Sequence, residues 1–321
     1  PNTIQPMAIS QYIKDIGRGA DGARALSRTA ACDLLGQVLD GACTDLEIGA
    51  FCVAMRIKGE TTEEMAGFLD ALDARITKLP ASPRPVVVLP SYNGARKLPV
   101  LTPLLARLLA REGLPVLIHG CATEDRRVST QQVLAEAGQL PQPASQSIPC
   151  GSVHFVRTES LHPGLARLLE VRRAIGLRNP AHSLVKLMNP VAGPALVVGS
   201  YTHPEYAASM AATFQSMGTA ALLLRGTEGE PVADARRTPR MELFMHGRTR
   251  CVQEAQSGPL GALPALPTAI DARSTHEYIE AVMAGTSPVP EPIARQVRHI
   301  VQACRSMEAE GAAIRSQRLA A

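Results

Sequence analysis

The sequence predicts an α/β fold with a mainly parallel central sheet, preceded by a small helical domain. Three observations support this fold class. Residues 8–78 show only helical periodicity, residues 79–85 (LPASPRP) form a proline-rich linker, and β-branched segments alternate with helical ones from residue 86 onwards. Because alternation of strands and helices requires crossover connections, the strands are expected to be parallel.

Start signals of short helices dominate the N-terminal part. Thr44 and Glu47 have the spacing of a capping box, and Thr61 or Thr62 followed by Glu64 opens the next helix. Four short helices fit into this stretch. Since such small helical domains often associate through an exposed apolar face, we predict a dimerisation domain here.

The domain boundaries follow from the linker. We predict a helical domain over residues 1–80, completed by helices near 163–190, and an α/β domain over residues 81–321. No repeat of 20 to 50 residues is visible. The chain is therefore expected to consist of two different domains and not of an array of similar units.

Residues 86–120 form the first β-loop-α-β unit. Val86–Leu89 is predicted as a buried strand, Thr102 as the cap of a helix with Pro103 at its first position, and Val116–Ile118 as a second strand. In parallel sheets the loop between a strand and its following helix is the usual ligand site. Here that loop contains Ser91, Tyr92, Asn93, Gly94, Arg96 and Lys97.

The remaining α/β domain continues the alternation. Further strands are predicted at 153–156, 195–199, 220–224, 241–245 and 248–252, and further helices at 128–137, 163–175, 204–217, 275–284 and 291–320. The segment 257–268 is rich in Gly, Pro, Ala and Leu and is predicted to be irregular.

Composition indicates a globular protein of the reducing cytoplasm. The 321 residues are 45% hydrophobic, and mean hydropathy is +0.03. The seven cysteines show no CxxC spacing, which favours free thiols. No apolar run reaches transmembrane length, so we predict a cytoplasmic protein without a membrane partner.

The net charge of +4 is unevenly distributed. Residues 1–78 carry a formal charge of −3, so residues 79–321 carry +7. Basic side chains concentrate in 84–127 and 157–186. A charge run is usually a solvated face. Because these two stretches flank predicted strand-to-helix loops, an anion-binding site is an equally good interpretation.

The order of several short motifs resembles that of the anthranilate phosphoribosyltransferase and nucleoside phosphorylase superfamily (glycosyl transferase family 3). The resemblance covers nearly the whole chain. Its landmarks, in chain order, are Gly94, His119-Gly120, His162-Pro163, Val171-Arg172, Gly176-Leu177-Arg178, Asn189-Pro190 and Arg225-Gly226-Thr227-Glu228-Gly229. The resemblance implies an α/β fold with an N-terminal helical domain.

Two departures from the superfamily's motifs bear on catalysis. Its enzymes have a glycine-rich GTGGD loop after the first strand, whereas this chain has PSYNG at 90–94, with a single glycine. The adjacent Asp-Glu pair that holds magnesium in these enzymes is matched to Pro231 and Val232, which cannot ligate a metal. Glu228 and Glu230 lie nearby at a different spacing. We therefore predict no metal, no cofactor and no catalytic residue.

The basic residues point to anion binding. The resemblance matches Arg172 and Arg178 to the arginine that meets the anthranilate carboxylate and to a neighbouring structural arginine. Further cations complete a predicted nucleic-acid or anion site, namely Arg56, Lys58, Arg96, Lys97, Arg173 and Lys186. At the position of Lys186 the superfamily tends to have proline. Capping or local ion pairs are nearly as good an interpretation of the three arginines between 172 and 178.

The strings RIKGE, PSYNGARK, LTPLL, HPEY and RGTEGE resemble the YbiB-type branch of the superfamily. That resemblance implies a non-catalytic homodimer whose basic grooves bind DNA or RNA, single- or double-stranded, without sequence specificity. The alternative is a phosphoribosyltransferase, or related glycosyl (pentosyl) transferase, with an altered substrate. A regulatory sensor of small anions is a third hypothesis. Enzymatic activity thus stays open, with the non-catalytic function as the main prediction.

Overall fold

The structure is a computed structural model, and it describes residues 9–19, 21–261 and 263–320, without the side chains of 315 and 318–320. In chain order its elements are α1 (Ser10–Ile16), α2 (Arg28–Leu39), α3 (Asp45–Lys58), α4 (Thr62–Asp73), β1 (Val86–Ser91), α5 (Thr102–Arg111), β2 (Val116–Gly120), α6 (Thr130–Glu136), β3 (Val153–Arg157), α7 (Thr158–Leu161), α8 (Pro163–Ile175), α9 (Ala181–Leu184), β4 (Ala195–Tyr201), α10 (Pro204–Met217), β5 (Ala221–Arg225), β6 (Met241–Met245), β7 (Arg248–Gln253), α11 (Ala272–Met283) and α12 (Glu291–Ala320).

The chain divides into two compact units. A helical unit consists of Pro1–Thr77 and Thr158–Pro190, and an α/β unit consists of Lys78–Arg157 and Val191–Ala321. The predicted division placed the boundary at residue 80 and assigned helices near 163–190 to the helical domain.

None of the helices described has both the length and the apolar character of a membrane span.

Side-chain caps begin four helices of the helical unit, namely α2, α3, α4 and α8. The Thr44 hydroxyl accepts a hydrogen bond from the backbone N–H of Glu47 at 3.2 Å, and the Glu47 carboxylate accepts one from the N–H of Thr44 at 2.9 Å. Thr61 and Glu64 form the same reciprocal pair at the start of α4. The capping box predicted for α3 is present, and α4, for which only a helix start was predicted, has one as well. Each capping box satisfies two backbone donors at the start of its helix.

A seven-stranded sheet forms the centre of the α/β unit. Its strand order is β3-β2-β1-β4-β5-β6-β7; the first five strands are parallel, and β6 and β7 are antiparallel additions. From β1 the chain moves outward to β2 and β3 and then returns to β4 on the other side of β1. The predicted fold class is confirmed. In such a sheet, ligands bind where the order reverses, next to the end of β1.

Helices cover both faces of this sheet. On one face, Val87 and Ile118 join a buried cluster with α5 and α12, including Leu105 and Ile300. On the other face α10 approaches so closely that a Cβ on Gly199 would lie 2.8 Å from the Phe214 ring. Burial on both faces explains why β1 and β2 are nearly continuous apolar runs. These strands therefore hold the loops at their carboxyl ends on a rigid base.

Candidate functional site

The loop between β1 and α5 is the predicted ligand loop, and the backbone conformation of one glycine determines the path of this loop. Gly94 has a φ of +65°, and a Cβ there would lie 2.7 Å from the carbonyl oxygen of Val128. Ala95 exchanges two backbone hydrogen bonds with Val128, at 2.8 and 2.9 Å. The single glycine that remains in PSYNG thus occupies a position that admits no side chain.

The loop between β5 and β6 reaches the β1–α5 loop across the end of β4, which lies between β1 and β5 in the sheet. A Cβ on Gly226 would lie 1.9 Å from the carbonyl oxygen of Glu230, and the Ser200 hydroxyl donates to the carbonyl of Gly229 at 2.8 Å. Glu228 has a φ of 52°. A non-glycine residue in this left-handed region costs about 1–2 kcal/mol. The tight turn directs the side chains of Glu228 and Glu230 toward the β1–α5 loop.

Four donors hold the carboxylate of Glu230. The backbone N–H groups of Asn93 and Gly94 both donate to its Oε1 at 2.8 Å. The hydroxyls of Ser91 and Thr102 donate to its Oε2 at 2.5 and 2.9 Å. Glu230 is 1% exposed, so the hydrogen bonds replace the water that a buried charge loses. We call these four donors the loop cradle.

Thr102 was predicted as the cap of α5, and this prediction is wrong. The N-cap residue is Leu101, and no side chain caps the helix. The Thr102 hydroxyl donates to Glu230 instead, because the residue is fully buried and faces the loop cradle.

Glu228 binds the next part of the same loop. Its Oε2 accepts hydrogen bonds from the backbone N–H groups of Arg96 at 2.7 Å and Lys97 at 3.1 Å. The Asn93 side-chain amide donates to the Glu228 carbonyl at 2.9 Å. Six donors between Ser91 and Thr102 therefore converge on two carboxylates of the β5–β6 loop. The side chains of Arg96 and Lys97 are exposed at the edge of this arrangement.

Sequence analysis missed Glu228 and Glu230 as site residues. It compared them with an adjacent Asp-Glu pair and placed the equivalent positions at Pro231 and Val232, both of which are buried. A usable signal was present, because RGTEGE directly follows a predicted strand. The carboxyl ends of parallel strands share one sheet edge, which brings this loop to the end of β1.

A small pocket with room for about one water molecule lies beside the loop cradle. Its walls include Tyr92, Cys121, Thr123, Arg127 and Phe155. In this form the pocket is too small for a sugar.

Tyr92 and His119 form a buried pair under the loop. The tyrosine hydroxyl lies 2.8 Å from His119 Nδ1. Burial lowers the pKa of His119 to about 3, so its imidazole is neutral at physiological pH. His119 Nε2 is buried without a hydrogen-bond partner in the described structure. This histidine therefore supports the fold of the loop and does not supply a charge.

Three predicted cations lie together in the helical unit. Arg178, Arg172 and Lys186 all act electrostatically on His182. Burial, and then the positive charge of Arg178, lower the pKa of His182 to about 4. Sequence analysis did not single out His182. The grouping favours binding of an anion such as a carboxylate.

The other predicted cations of the helical unit differ in their surroundings. Lys58 Nζ lies 2.5 Å from Glu64 Oε2, and both side chains are buried. This corrects the prediction of Lys58 as a groove residue, because its charge is already paired inside the unit. Arg173 pairs with Glu170 at 2.7 Å on the surface of α8. Arg56 is exposed.

Comparisons with known proteins bear on this site. A family model described as "Glycosyl transferase family, helical bundle domain" matches residues 10–75. The Escherichia coli protein named "Uncharacterized protein YbiB" is 39% identical over 91% of this chain and 92% of its own length. Anthranilate phosphoribosyltransferase of Leifsonia xyli is 28% identical over 60% of this chain and 56% of its own length.

Solved structures show the same fold. Anthranilate phosphoribosyltransferase from Thermus thermophilus matches with a TM-score of 0.69 at 19% identity, covering 93% of this chain and 88% of that one. The enzyme from Saccharomyces cerevisiae in complex with PRPP and Mg matches with a TM-score of 0.63 at 16% identity, covering 90% and 85%.

A helical bundle joined to a mainly parallel sheet, with a ligand loop at the point of strand reversal, defines the anthranilate phosphoribosyltransferase-like class of proteins. The chain belongs to this glycosyl transferase family 3 superfamily. The predicted main function, nucleic-acid binding without catalysis, is wrong on these findings. The named enzymes among the relatives and structural neighbours are phosphoribosyltransferases, which favours the alternative. None of these similarities shows a nucleic-acid-binding branch.

Magnesium does not fit the carboxylates as they are arranged here. Glu230 directs both carboxylate oxygens at N–H and O–H donors, and Glu228 Oε2 accepts from two backbone N–H groups. Across the described residues, no three His, Cys, Asp or Glu side chains have the arrangement of a metal site. A hard cation needs free oxygen ligands, which the loop cradle does not leave available.

Proposed function

We propose that the chain is a pentosyl transferase with an altered substrate. Its sugar donor carries a phosphate group and is not held as a magnesium pyrophosphate. The buried carboxylate of Glu230 and the half-buried carboxylate of Glu228 disfavour a pyrophosphate without a metal beside the β1–α5 loop, because like charges repel strongly where water is excluded. A pentose 1-phosphate carries less charge and is the donor class we infer.

One observation carries the proposal: the loop after β1 still holds an anion through backbone N–H groups. Asn93 and Gly94 each donate to the same carboxylate oxygen at 2.8 Å. Consecutive backbone N–H groups that meet at one atom are an anion-binding arrangement. A loop that had lost its relation to phosphate chemistry would have no reason to keep these donors convergent.

The acceptor is inferred from the helical unit. Arg172, Arg178 and Lys186 surround His182, whose imidazole stays neutral at physiological pH, since its pKa lies near 4. Three cations close to a neutral imidazole favour an acceptor that carries a carboxylate. In the transfer, the anomeric C–O bond breaks and phosphate leaves with the bonding electrons. The acceptor nitrogen forms the new C–N bond and releases a proton to water.

The test is a transfer assay with ribose 1-phosphate and a panel of aromatic amino acids and amino-benzoic acids. We expect release of inorganic phosphate that depends on the acceptor and persists in EDTA. Arg178→Ala should raise KM for the acceptor more than it lowers kcat, whereas Arg173→Ala, which removes the exposed ion-pair partner of Glu170 on α8, should leave both unchanged. No acceptor-dependent phosphate release across the panel contradicts the proposal, as does strict dependence on magnesium pyrophosphate.

We further propose a homodimer that forms through α3. Leu46, Val53 and Ile57 are 82%, 36% and 60% exposed, and their spacing places them on one face of the helix. Such a stripe of apolar side chains is suited to burial against a second copy. The cytoplasmic location stays a prediction, which seven free cysteines support.

A further inference from the structure

The loop cradle is already filled by a part of the protein itself. Oε1 of Glu230 takes two backbone N–H donors from consecutive residues, Asn93 and Gly94, and Oε2 takes two hydroxyl donors. All four partners are uncharged groups. A phosphate oxygen could accept the same hydrogen bonds, because phosphate and carboxylate oxygens are equivalent acceptors for N–H and O–H groups.

Glu230 is held in this position by a strained turn. Glu228 has a φ of 52°, Gly229 has a φ of 90°, and Gly226 lies too close to the Glu230 carbonyl for any side chain. The turn therefore stores conformational energy that the carboxylate contacts offset. When those contacts are lost, the turn is free to relax away from the β1–α5 loop.

We propose that Glu230 is an internal anion that keeps the loop cradle closed, and that a phosphate group binds there only by displacing it. The inference rests on the proposed function, since it describes how the phosphate of the donor gains access to the same loop. A carboxylate and a phosphate cannot both occupy a site of this size, and their charges repel each other. The phosphate and the glutamate carboxylate therefore compete for the same four donors.

Several features make the exchange feasible. Hydroxyl groups such as those of Ser91 and Thr102 rotate freely, so they can donate to either anion. The exposed side chains of Arg96 and Lys97 lie at the edge of the loop and can attract an incoming anion. Glu230 itself has no Lys or Arg side chain among its partners in the described structure, so no ion pair has to break.

Two substitutions separate the effect of filling the loop cradle from the effect of the negative charge in it. Glu230→Gln removes the charge but keeps the cradle filled, because its amide oxygen can accept from Asn93 and Gly94 while its NH₂ group donates to the two hydroxyls. Glu230→Ser removes the same charge and leaves the cradle open. Titration with inorganic phosphate at constant ionic strength, followed by the thermal unfolding midpoint and by calorimetry, compares the two variants with the native chain.

We expect Glu230→Ser to bind phosphate at least about tenfold more tightly than Glu230→Gln, since the second still has to be displaced. Glu112→Ser, which removes an exposed carboxylate elsewhere in the α/β unit, should bind phosphate like the native chain. Equal affinities of Glu230→Gln and Glu230→Ser would overturn the inference, since charge alone would then explain the change. Absence of phosphate binding in a folded Glu230→Ser protein would overturn it as well.

Glu230→Asp gives the same test if Glu230→Ser does not fold. It keeps the charge and all four donors of the loop cradle but shortens the side chain by one methylene, so its carboxylate is held less well and phosphate should bind up to about tenfold more tightly than to the native chain. Unchanged or weaker binding would contradict the inference. These measurements need no acceptor and no turnover. Phosphate binding without any pentosyl transfer therefore refutes the proposed function alone, whereas transfer without a difference between the two Glu230 variants refutes the inference alone.

Discussion

The backbone N–H of Gly94 donates a hydrogen bond of 2.8 Å to the carboxylate of Glu230, across a separation of 136 residues. This contact joins the loop after β1 to the loop after β5. It places a negative charge in the predicted ligand loop. The relationship leads to predictions for stability, assembly and ligand binding.

Thr102→Val should destabilise the α/β unit. The substitution removes a hydroxyl donor from a buried carboxylate, and a hydrogen bond to a charged group contributes about 1.5–3 kcal/mol. Urea unfolding measures the loss. Thr286→Val is the control, because its hydroxyl donates to a backbone carbonyl at an exposed site, and the change there should stay below about 0.5 kcal/mol. Similar losses in the two variants would show that Glu230 does not depend on Thr102.

Lys58→Met should destabilise the helical unit by about 3–5 kcal/mol, because it leaves the fully buried carboxylate of Glu64 without its ion-pair partner. Arg56→Met, two residues earlier on α3 and exposed, is the matched control and should change stability by less than about 0.5 kcal/mol. Chemical unfolding of both variants checks this. An exposed, weakly paired Lys58 would make the two variants equivalent.

Two buried histidines should make stability fall as the pH decreases from about 6.5. Burial lowers the pKa of His119 to about 3 and that of His182 to about 4, from an ordinary value of 6.5. Below pH 6.5 the unfolded chain binds protons that the native imidazoles do not, so the free energy of unfolding decreases. At pH 5 each histidine accounts for about 2 kcal/mol of this decrease.

The histidine prediction is checked by urea unfolding at pH 7.5 and pH 5 in the native chain and in His119→Gln. Because carboxylates also titrate in this range, the difference between the two proteins is the informative quantity. The variant should lose about 2 kcal/mol less on acidification. An identical loss in both proteins would mean that His119 is already protonated or accessible in the native state.

Ile57→Glu should convert the proposed homodimer to a monomer. A charge in the centre of a buried apolar interface is unfavourable, and Ile57 is 60% exposed in the single chain. Sedimentation velocity measures the mass. Leu140→Glu, at a 72% exposed position of the α/β unit, should leave the mass unchanged. A native chain that sediments as a monomer at all concentrations would exclude this dimer.

Much of the fold could be predicted because its signals are local. The capping box of Thr44 and Glu47, the strand-loop-helix pattern around Gly94 and the helix Pro163–Ile175 are each determined by residues close in sequence. Such signals need no knowledge of tertiary packing. The parallel sheet followed from their alternation.

The site was less predictable because its main contacts are long-range. Glu230 reaches a loop more than a hundred residues away, and its approach depends on a turn in which Glu228 has a positive φ. The pairing of Lys58 with Glu64 across the α3–α4 turn converted an expected surface cation into a buried ion pair. Matching motifs by position alone also directed attention to Pro231 and Val232 and away from the two glutamates beside them. The functional prediction then rested on the absence of catalytic motifs. Such an absence constrains the chemistry of a site only weakly.

Hydrogen exchange of the Asn93 and Gly94 backbone amides tests the central claim most directly, since both N–H groups donate to Glu230. In the native chain and in Glu230→Gln both amides should exchange slowly. In Glu230→Ser they should exchange much faster and become protected again when inorganic phosphate is added. Equal exchange in the native chain and Glu230→Ser, with no effect of phosphate, would contradict the account of a loop that its own glutamate keeps closed.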